Sequence, residues 1–305
     1  MRNFRKLLSI QILIIIIFLS GCKKSDSSTD PVGNGSTTLT GKILYERVSD
    51  GVHIFDIKKV SDQKLFEGSY PERMPNGKIL FVLDYPNRLV SANEDGSSKN
   101  ILVENDKMYF QVPRVSADGK SVAVQNLFTS TINNINRGTL VYKSDGSLVV
   151  KFDNLFHPSW TPDGRLVVSG SYQNVWGPQT TLKEGIYITD KELSSLQRID
   201  PDLSEPLMPS VSPDGKQIAF VNAGHIWVMG IDGTNLRQIT KSSSKESYPS
   251  WTSDGKYIMF NYYRNASVMA VVPANAQTTI DDQTECYIMT SDDHFLNSGN
   301  QIVNY

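Results

Sequence analysis

Cysteine is almost missing from this 305-residue chain: Cys22 and Cys286 are the only two. With Cys22 committed elsewhere, as argued below, no disulfide framework can form. The fold must rest on a packed core, which a chain of this length can supply. Histidine is scarce as well, and His53, His157, His225 and His294 are far apart. None of the spacings that mark a nucleophile elbow, a zinc helix, a Cys-x-x-Cys pair, a phosphate loop or a dinucleotide-binding turn occurs. No catalytic residue, no metal site and no cofactor are therefore expected. A strong charge of one sign is lacking too, with 30 basic against 32 acidic residues. Without a basic stripe the chain is a poor candidate for nucleic acid. The longest apolar run, residues 7–19, is broken by Ser9 and Gln11 and is too short to span a bilayer comfortably.

That run does carry a signal. Arg2, Arg5 and Lys6 precede it, and it ends Leu19-Ser20-Gly21-Cys22. Residues 1–22 thus read as a signal peptide with a lipobox: small residues fit the peptidase, and the Cys22 thiol takes a lipid through a thioether. Residues 23–38 are almost wholly polar and cannot bury enough surface to offset chain entropy, so they read as a flexible tether. As a coil they reach roughly 20–25 Å. The expected location is a bacterial cell envelope, lipid-anchored to a membrane, the outer membrane first, facing the periplasm or the surface. Cleavage removes three basic residues, leaving 27 against 32 acidic, a net charge of −5.

From residue 39 to 305 a pattern recurs. Five times a proline opens an aromatic or aliphatic position, a Ser or Thr, a tight turn and an apolar run, as in Pro158-SWTPDGRLVVS and Pro209-SVSPDGKQIAF. The others start at Pro71, Pro113 and Pro249, and a sixth copy, cut short in front, starts at Thr40. The turn glycines Gly41, Gly77, Gly119, Gly164, Gly215 and Gly255 step by 36, 42, 45, 51 and 40 residues. Apolar residues alternate with period two, which excludes a helical repeat. A second Asp-Gly hairpin follows in three copies, with Asp56-IKKVSD and Asp190-KELSS standing there in two others, so each repeat is four antiparallel strands. The turn expected at each Asp-Gly is type I′, and each motif proline is placed at the first residue of an inner strand. Four-stranded units of about 44 residues are the blades of a β-propeller, and 267 residues make six of them. An irregular β-sandwich is the competitor, but it has no use for a proline at the same place in every repeat. The short first copy lacks its inner strand; the run Gln301-IVNY is expected to supply it, or else to complete the sixth blade.

The string Pro-Ser-Trp-x-x-Asp-Gly-Lys-x-Ile-x-Phe, followed by Ile-Trp-Val-Met-x-x-Asp-Gly and Arg-Gln-Ile-Thr, resembles the WD-like repeat of TolB-type propellers. Residues 208–240 match nearly throughout, and the resemblance covers everything after the tether. It implies an extracytoplasmic six-bladed propeller. It does not imply one activity, since propellers of this kind serve as partner-binding scaffolds, as gates on peptidases and occasionally as polysaccharide lyases. The α/β domain that precedes the propeller of TolB itself and the hydrolase domain of prolyl-oligopeptidase-type enzymes are both missing from the pattern. Arg73 stands at the Trp position of its repeat and Asn76 at the Asp position.

Asp118, Asp163, Asp214 and Asp254 are read as caps of their own turns. Trp160 and Trp251 are read as wedges between blades. The residues before the motif prolines (Tyr70, Val112, His157, Met208 and Tyr248) are expected to ring the mouth of the central channel. Inserts at 127–137, 172–184 and 264–284, taken as second-to-third-strand loops, are expected at the same end. Tyr70, His157, Trp176 and Tyr248 are the candidate binding residues, because aromatic side chains dominate interface hot spots. The reading is a tethered, non-enzymatic scaffold for an envelope or outer-membrane protein, a peptide or a glycan. Its alternative is an enzyme acting on polysaccharide or peptide at the channel mouth.

Overall fold

The computed structural model describes residues 41–47, 50–59, 61–83, 87–129, 137–170, 182–263, 267–276, 279, 286–288 and 301–303. The signal and tether, Cys22, Trp176 and His294 lie outside the described residues. The described chain is all β: six sheets, each of four antiparallel strands. Blade five shows why the sequence folds this way. Its strands are Leu207–Val211 (inner), Gln217–Asn222, His225–Gly230 and Arg237–Gln238 (outer). Along a strand, successive side chains leave opposite faces. Ile218, Phe220 and Met229 therefore pack on Val167, Ile186 and Ile188 of blade four. Ala219, Val221, Ile226 and Val228 pack on Trp251, Ile258 and Phe260 of blade six. Both faces are buried, so the strands read as nearly continuous apolar runs. Six such clusters lie between neighbouring blades, the sixth joining Ile43, Tyr45 and Phe55 of blade one to Met259, Met269 and Val271 of blade six. The ring is closed.

The seam is built from distant parts of the chain. In blade one, Lys42–Arg47 pairs with Gly51–Asp56 on one side and with Gln301–Val303 on the other, in the register Lys42↔Val303, Ile43↔Ile302 and Leu44↔Gln301. Blade six is completed instead by Cys286–Ile288 against Met269–Val271. Of the two roles open to the last strand, closing blade one is the one adopted.

The Asp-Gly turns are not type I′. The aspartates keep negative φ, and only the glycines are left-handed, for example Gly119 at 71° and Gly215 at 72°. The amide of Gly119 donates to Ser116 O at 2.8 Å and that of Gly215 to Ser212 O at 2.9 Å. This is a type I turn with glycine at its last position, and Pro75, Pro162 and Pro213 occupy the second position that type I favours. Each Asp accepts from its own turn: Asp214 takes Ser212 Oγ at 2.7 Å and Lys216 N at 3.0 Å, and Asp118 and Asp254 repeat the pattern. Those hydrogen bonds hold the carboxylates of Asp118 and Asp214 below the usual range.

The later turn of a blade leans on the blade before it. Gly233, with φ of 82°, sits so close to blade four that a Cβ there would fall 1.9 Å from Ile199 O. Gly233→Ala combines a left-handed alanine with a backbone clash. It is expected to cost about 3 kcal/mol or more, read as a lower urea midpoint with unchanged slope. Gly77→Ala has the same φ of 82° but open space around it, and should cost only the conformational part, about 1–2 kcal/mol. Equal losses in the two variants would show that the blade contact contributes nothing.

The sixth repeat departs from expectation. Tyr257–Tyr263 and Ser267–Pro273 pair directly, with Tyr263↔Ser267 as the last pair, so the second-to-third-strand link is short. The long insert lies after Pro273, between the third and fourth strands. It therefore belongs to the end of the blades that carries the Asp-Gly turns, opposite the inserts of blades three and four.

Candidate functional site

The motif prolines do not begin their strands. Pro71, Pro113, Pro158, Pro209 and Pro249 sit inside the inner strands, each at a β-bulge, where the pairing register skips. A bulge needs no ladder donor from its extra residues, which is why proline is tolerated there. The residue before each proline is left-handed: φ is 52° at Tyr70, 51° at Val112, 52° at His157, 54° at Met208 and 51° at Tyr248. Bulky residues rarely adopt this conformation, and a β-branched valine least of all. The freed amides are taken up by the preceding blade. Tyr70 N donates to Glu46 Oε2 at 2.9 Å, His157 N to Gln125 Oε1 at 3.1 Å and Tyr248 N to Met208 Sδ at 3.4 Å.

Four of these five residues line one cavity in the channel, with Arg114, Ser250 and the prolines 158, 209 and 249. Its volume of about 20 Å³ holds one water. The side chains of Val112, His157, Met208 and Tyr248 therefore converge on this small cavity. The His157 and Tyr248 rings meet edge-on with centroids 6.3 Å apart. His157 Nδ1 lies 3.0 Å from the hydroxyl of Ser169, which is fully buried. Burial, with a smaller contribution from the Arg114 guanidinium, pushes the imidazole down to about 4, so it is neutral at physiological pH. Burial also raises the Tyr248 phenol. Of the candidate binding residues, His157 and Tyr248 thus come together. Tyr70 instead packs beside the cluster between blades two and three, with Leu80 and Phe110.

Sequence reasoning missed an ion pair beside this ring. Arg114 donates to Glu72 Oε2 at 3.2 Å across blades two and three. Both follow a motif proline, where the later repeats have Ser159, Ser210 and Ser250. Charged residues at a position that is serine in three copies were the available signal.

Other polar groups tie blades together or are buried between strands. Trp160 Nε1 donates to Arg114 O at 3.0 Å and Trp251 Nε1 to Ser210 O at 2.9 Å, each stapling its blade to the preceding one. His53 lies between Asp62 at 3.0 Å and Asp50 at 3.1 Å in blade one. Glu246 is buried where blade five leads into blade six. It accepts from Ile226 N at 3.0 Å, Ser242 Oγ at 2.6 Å and the Thr240 hydroxyl. Burial raises its carboxyl above the usual range.

Comparison with known proteins places this architecture. Residues 74–282 match the family described as PD40, the TolB beta propeller domain. Over 161 residues, half of this chain, the sequence is 29% identical to the Tricorn protease homolog of Saccharolobus solfataricus. Over 105 residues, 32% of this chain, it is 30% identical to the Tol-Pal system protein TolB of Anaeromyxobacter dehalogenans. The matched stretches span only 13% and 21% of the length of those two proteins. Among solved structures, TolB from Acinetobacter baumannii superposes with a TM-score of 0.67 at 16% identity, over 86% of this chain and 66% of that one. With the family pattern running through more than two thirds of the sequence and the same blades in the fold, the chain belongs to the TolB β-propeller domain family.

Proposed function

We propose that this protein is a non-catalytic binding scaffold of the bacterial cell envelope, tethered to a membrane by lipid on Cys22, whose propeller captures an envelope protein at the channel end where the left-handed residues converge. The observation that carries the reading is the set of five left-handed residues, four of which converge on one cavity. Conformations costing on the order of 1–3 kcal/mol each persist where the surrounding structure holds them, and they concentrate at binding and switch sites. The chemistry nearby supports binding over catalysis. Among the described channel residues His157 is the one imidazole, its serine neighbour is buried, and Glu72 is engaged by Arg114. The tether supplies reach without fixing orientation, which suits capture of a partner near the membrane.

One experiment tests both halves. Full-length protein, its Cys22→Ser variant and its Tyr248→Ala variant are expressed in a bacterial host, cross-linked in cells and recovered. Wild type is expected in the membrane fraction, labelled by fatty acid and joined to envelope proteins. Cys22→Ser should lose the label. Tyr248→Ala should keep the label and its fold while losing about 2 kcal/mol of partner affinity, the scale of a hot-spot aromatic. Equal fatty-acid labelling of Cys22→Ser would remove the tether from the proposal. Undiminished partner recovery by a folded Tyr248→Ala would remove the channel site.

A further inference from the structure

A larger cavity lies elsewhere, between blades five and six at the end that carries the Asp-Gly turns. Its volume is about 830 Å³, in the range of roughly 300–1,000 Å³ typical of ligand pockets. Lys216 and Gln217 of blade five form one side, Lys256, Tyr257 and Ala274 of blade six the other, and Arg237 enters from the outer strand of blade five.

Arg237 is the unusual member. Its Nη2 donates to Ala274 O at 2.6 Å, and the approach to Gln217 Oε1 is long, 3.4 and 3.5 Å. Its Nε is buried and has no acceptor. No carboxylate of the described residues lies within ion-pair distance of it. Arg198, on the outer strand of blade four, is satisfied by comparison: Asp200 at 2.8 Å and Asp202 at 2.6 Å hold it. A guanidinium partly withdrawn from water without a counter-charge carries a cost that an anion would offset. The loss of hydration lowers the Arg237 pKa from its ordinary value, in line with an unmet charge. Lys216 and Lys256 add two exposed ammonium groups at the rim. Their anionic neighbours, Asp214 at 3.9 Å and Asp254 at 3.4 Å, are already hydrogen-bonded within their turns.

We propose that this groove is a second binding site, remote from the channel, and that it takes an acidic peptide segment whose carboxylate completes Arg237. A planar guanidinium pairs with carboxylate through strong charge-assisted hydrogen bonds, and Nη1, held by Gln217 Oε1 only at 3.5 Å, is the donor with capacity to spare. Asn235, Gln217 and Asn275 supply amide groups suited to a peptide backbone, whereas Tyr257 is the one aromatic ring against which a sugar could stack. The two lysines steer the acidic chain and make its binding salt-sensitive.

The test is fluorescence anisotropy of the full chain with a labelled tetraglutamate peptide, at low and at high salt. A tetraglutamine peptide, trigalacturonate and inorganic sulfate serve as comparisons. Tetraglutamate is expected to bind saturably at low salt, weaken at high salt and outcompete the other three. Arg237→Gln should weaken it by about tenfold or more, and Arg237→Lys should restore only part of that loss. Because Arg237 also holds Ala274 O, melting temperatures accompany each titration. Should Arg237→Gln unfold, the exposed pair Lys216→Gln/Lys256→Gln decides, with weaker binding and an unchanged melting temperature expected. No saturable binding at low salt overturns the site. So does unchanged affinity in a folded Arg237→Gln, or in the double lysine variant if that is the one that decides. Stronger binding of trigalacturonate or sulfate than of tetraglutamate overturns the peptide assignment.

Discussion

Deleting residues 299–305 should lower the melting temperature by about 10 °C, since a propeller of this size shifts by roughly 2–4 °C per kcal/mol and several kcal/mol are at stake. The deletion removes Gln301–Val303 and leaves Lys42–Arg47 as an open edge. Behind that edge Ile43, Leu44 and Tyr45 are at most 1% exposed, and each would gain contact with water. An unpaired strand edge also invites pairing with a second chain, so the truncated protein should associate on concentration. Differential scanning fluorimetry and light scattering read the two effects. Removal of the same number of residues from within 23–38 is the control and should change neither. An unchanged melting temperature in the C-terminal deletion would mean that the ring is held by blade contacts alone.

Lowering the pH should destabilise the protein through His157. The folded imidazole titrates at about 4, below its ordinary 6.5. Above 6.5 the ring is neutral in both states and contributes nothing to pH dependence. Between 6.5 and 4 the unfolded chain takes up a proton that the folded one does not, so stability falls with pH. The total loss is about 3 kcal/mol, complete once the pH passes below 4. Arg114, Tyr248 and Ser169 face the ring from the neighbouring strands, and none of them offers a negative charge that would hold the proton. Urea unfolding at pH 7 and pH 4.5 should show a much steeper loss for wild type than for His157→Gln. Parallel losses in the two proteins would mean that the ring is hydrated in the folded state.

The six blades were readable because each turn needs a left-handed glycine, and Gly41 to Gly255 mark the period directly. The seam was readable because the first repeat has no inner strand and a short run with Ile302 and Val303 stands near the other end of the pattern. The turn class was misread: Asp-Gly serves type I′ turns and type I turns that end in a left-handed glycine equally well. Pro75, Pro162 and Pro213 carried the distinction, since a φ near −65° fits the second residue of type I and excludes the primed form. The insert of blade six was misplaced because 264–284 was taken whole, although Ser267–Pro273 reads SVMAVVP and pairs as a strand. The left-handed state of Tyr70, Val112, His157, Met208 and Tyr248 left no trace in side-chain chemistry. Two phenols, a valine, an imidazole and a thioether share no preference for positive φ; the fold imposes it through the bulge and through amide partners on the preceding blade. The Arg237 groove was equally hidden, since an Arg-Gln-Ile-Thr run says nothing about which counter-charge will be missing.

The seam also sets the order of events when the chain folds. Among the described residues every other hydrogen-bonded strand pair joins neighbours in sequence, so each blade can form from its own hairpins as soon as its residues are available. Lys42 and Val303 are some 260 residues apart, and bringing them together costs about 5 kcal/mol of chain entropy by the logarithmic law of loop closure. Contacts of that separation form late. The arc of blades assembles first, and the last strand to be delivered turns the arc into a ring. A chain whose synthesis stops before residue 301 has nearly all of its hairpins and still presents an open edge at Lys42–Arg47, the feature that proteases and chaperones act on. The molecule thereby reports on its own completeness.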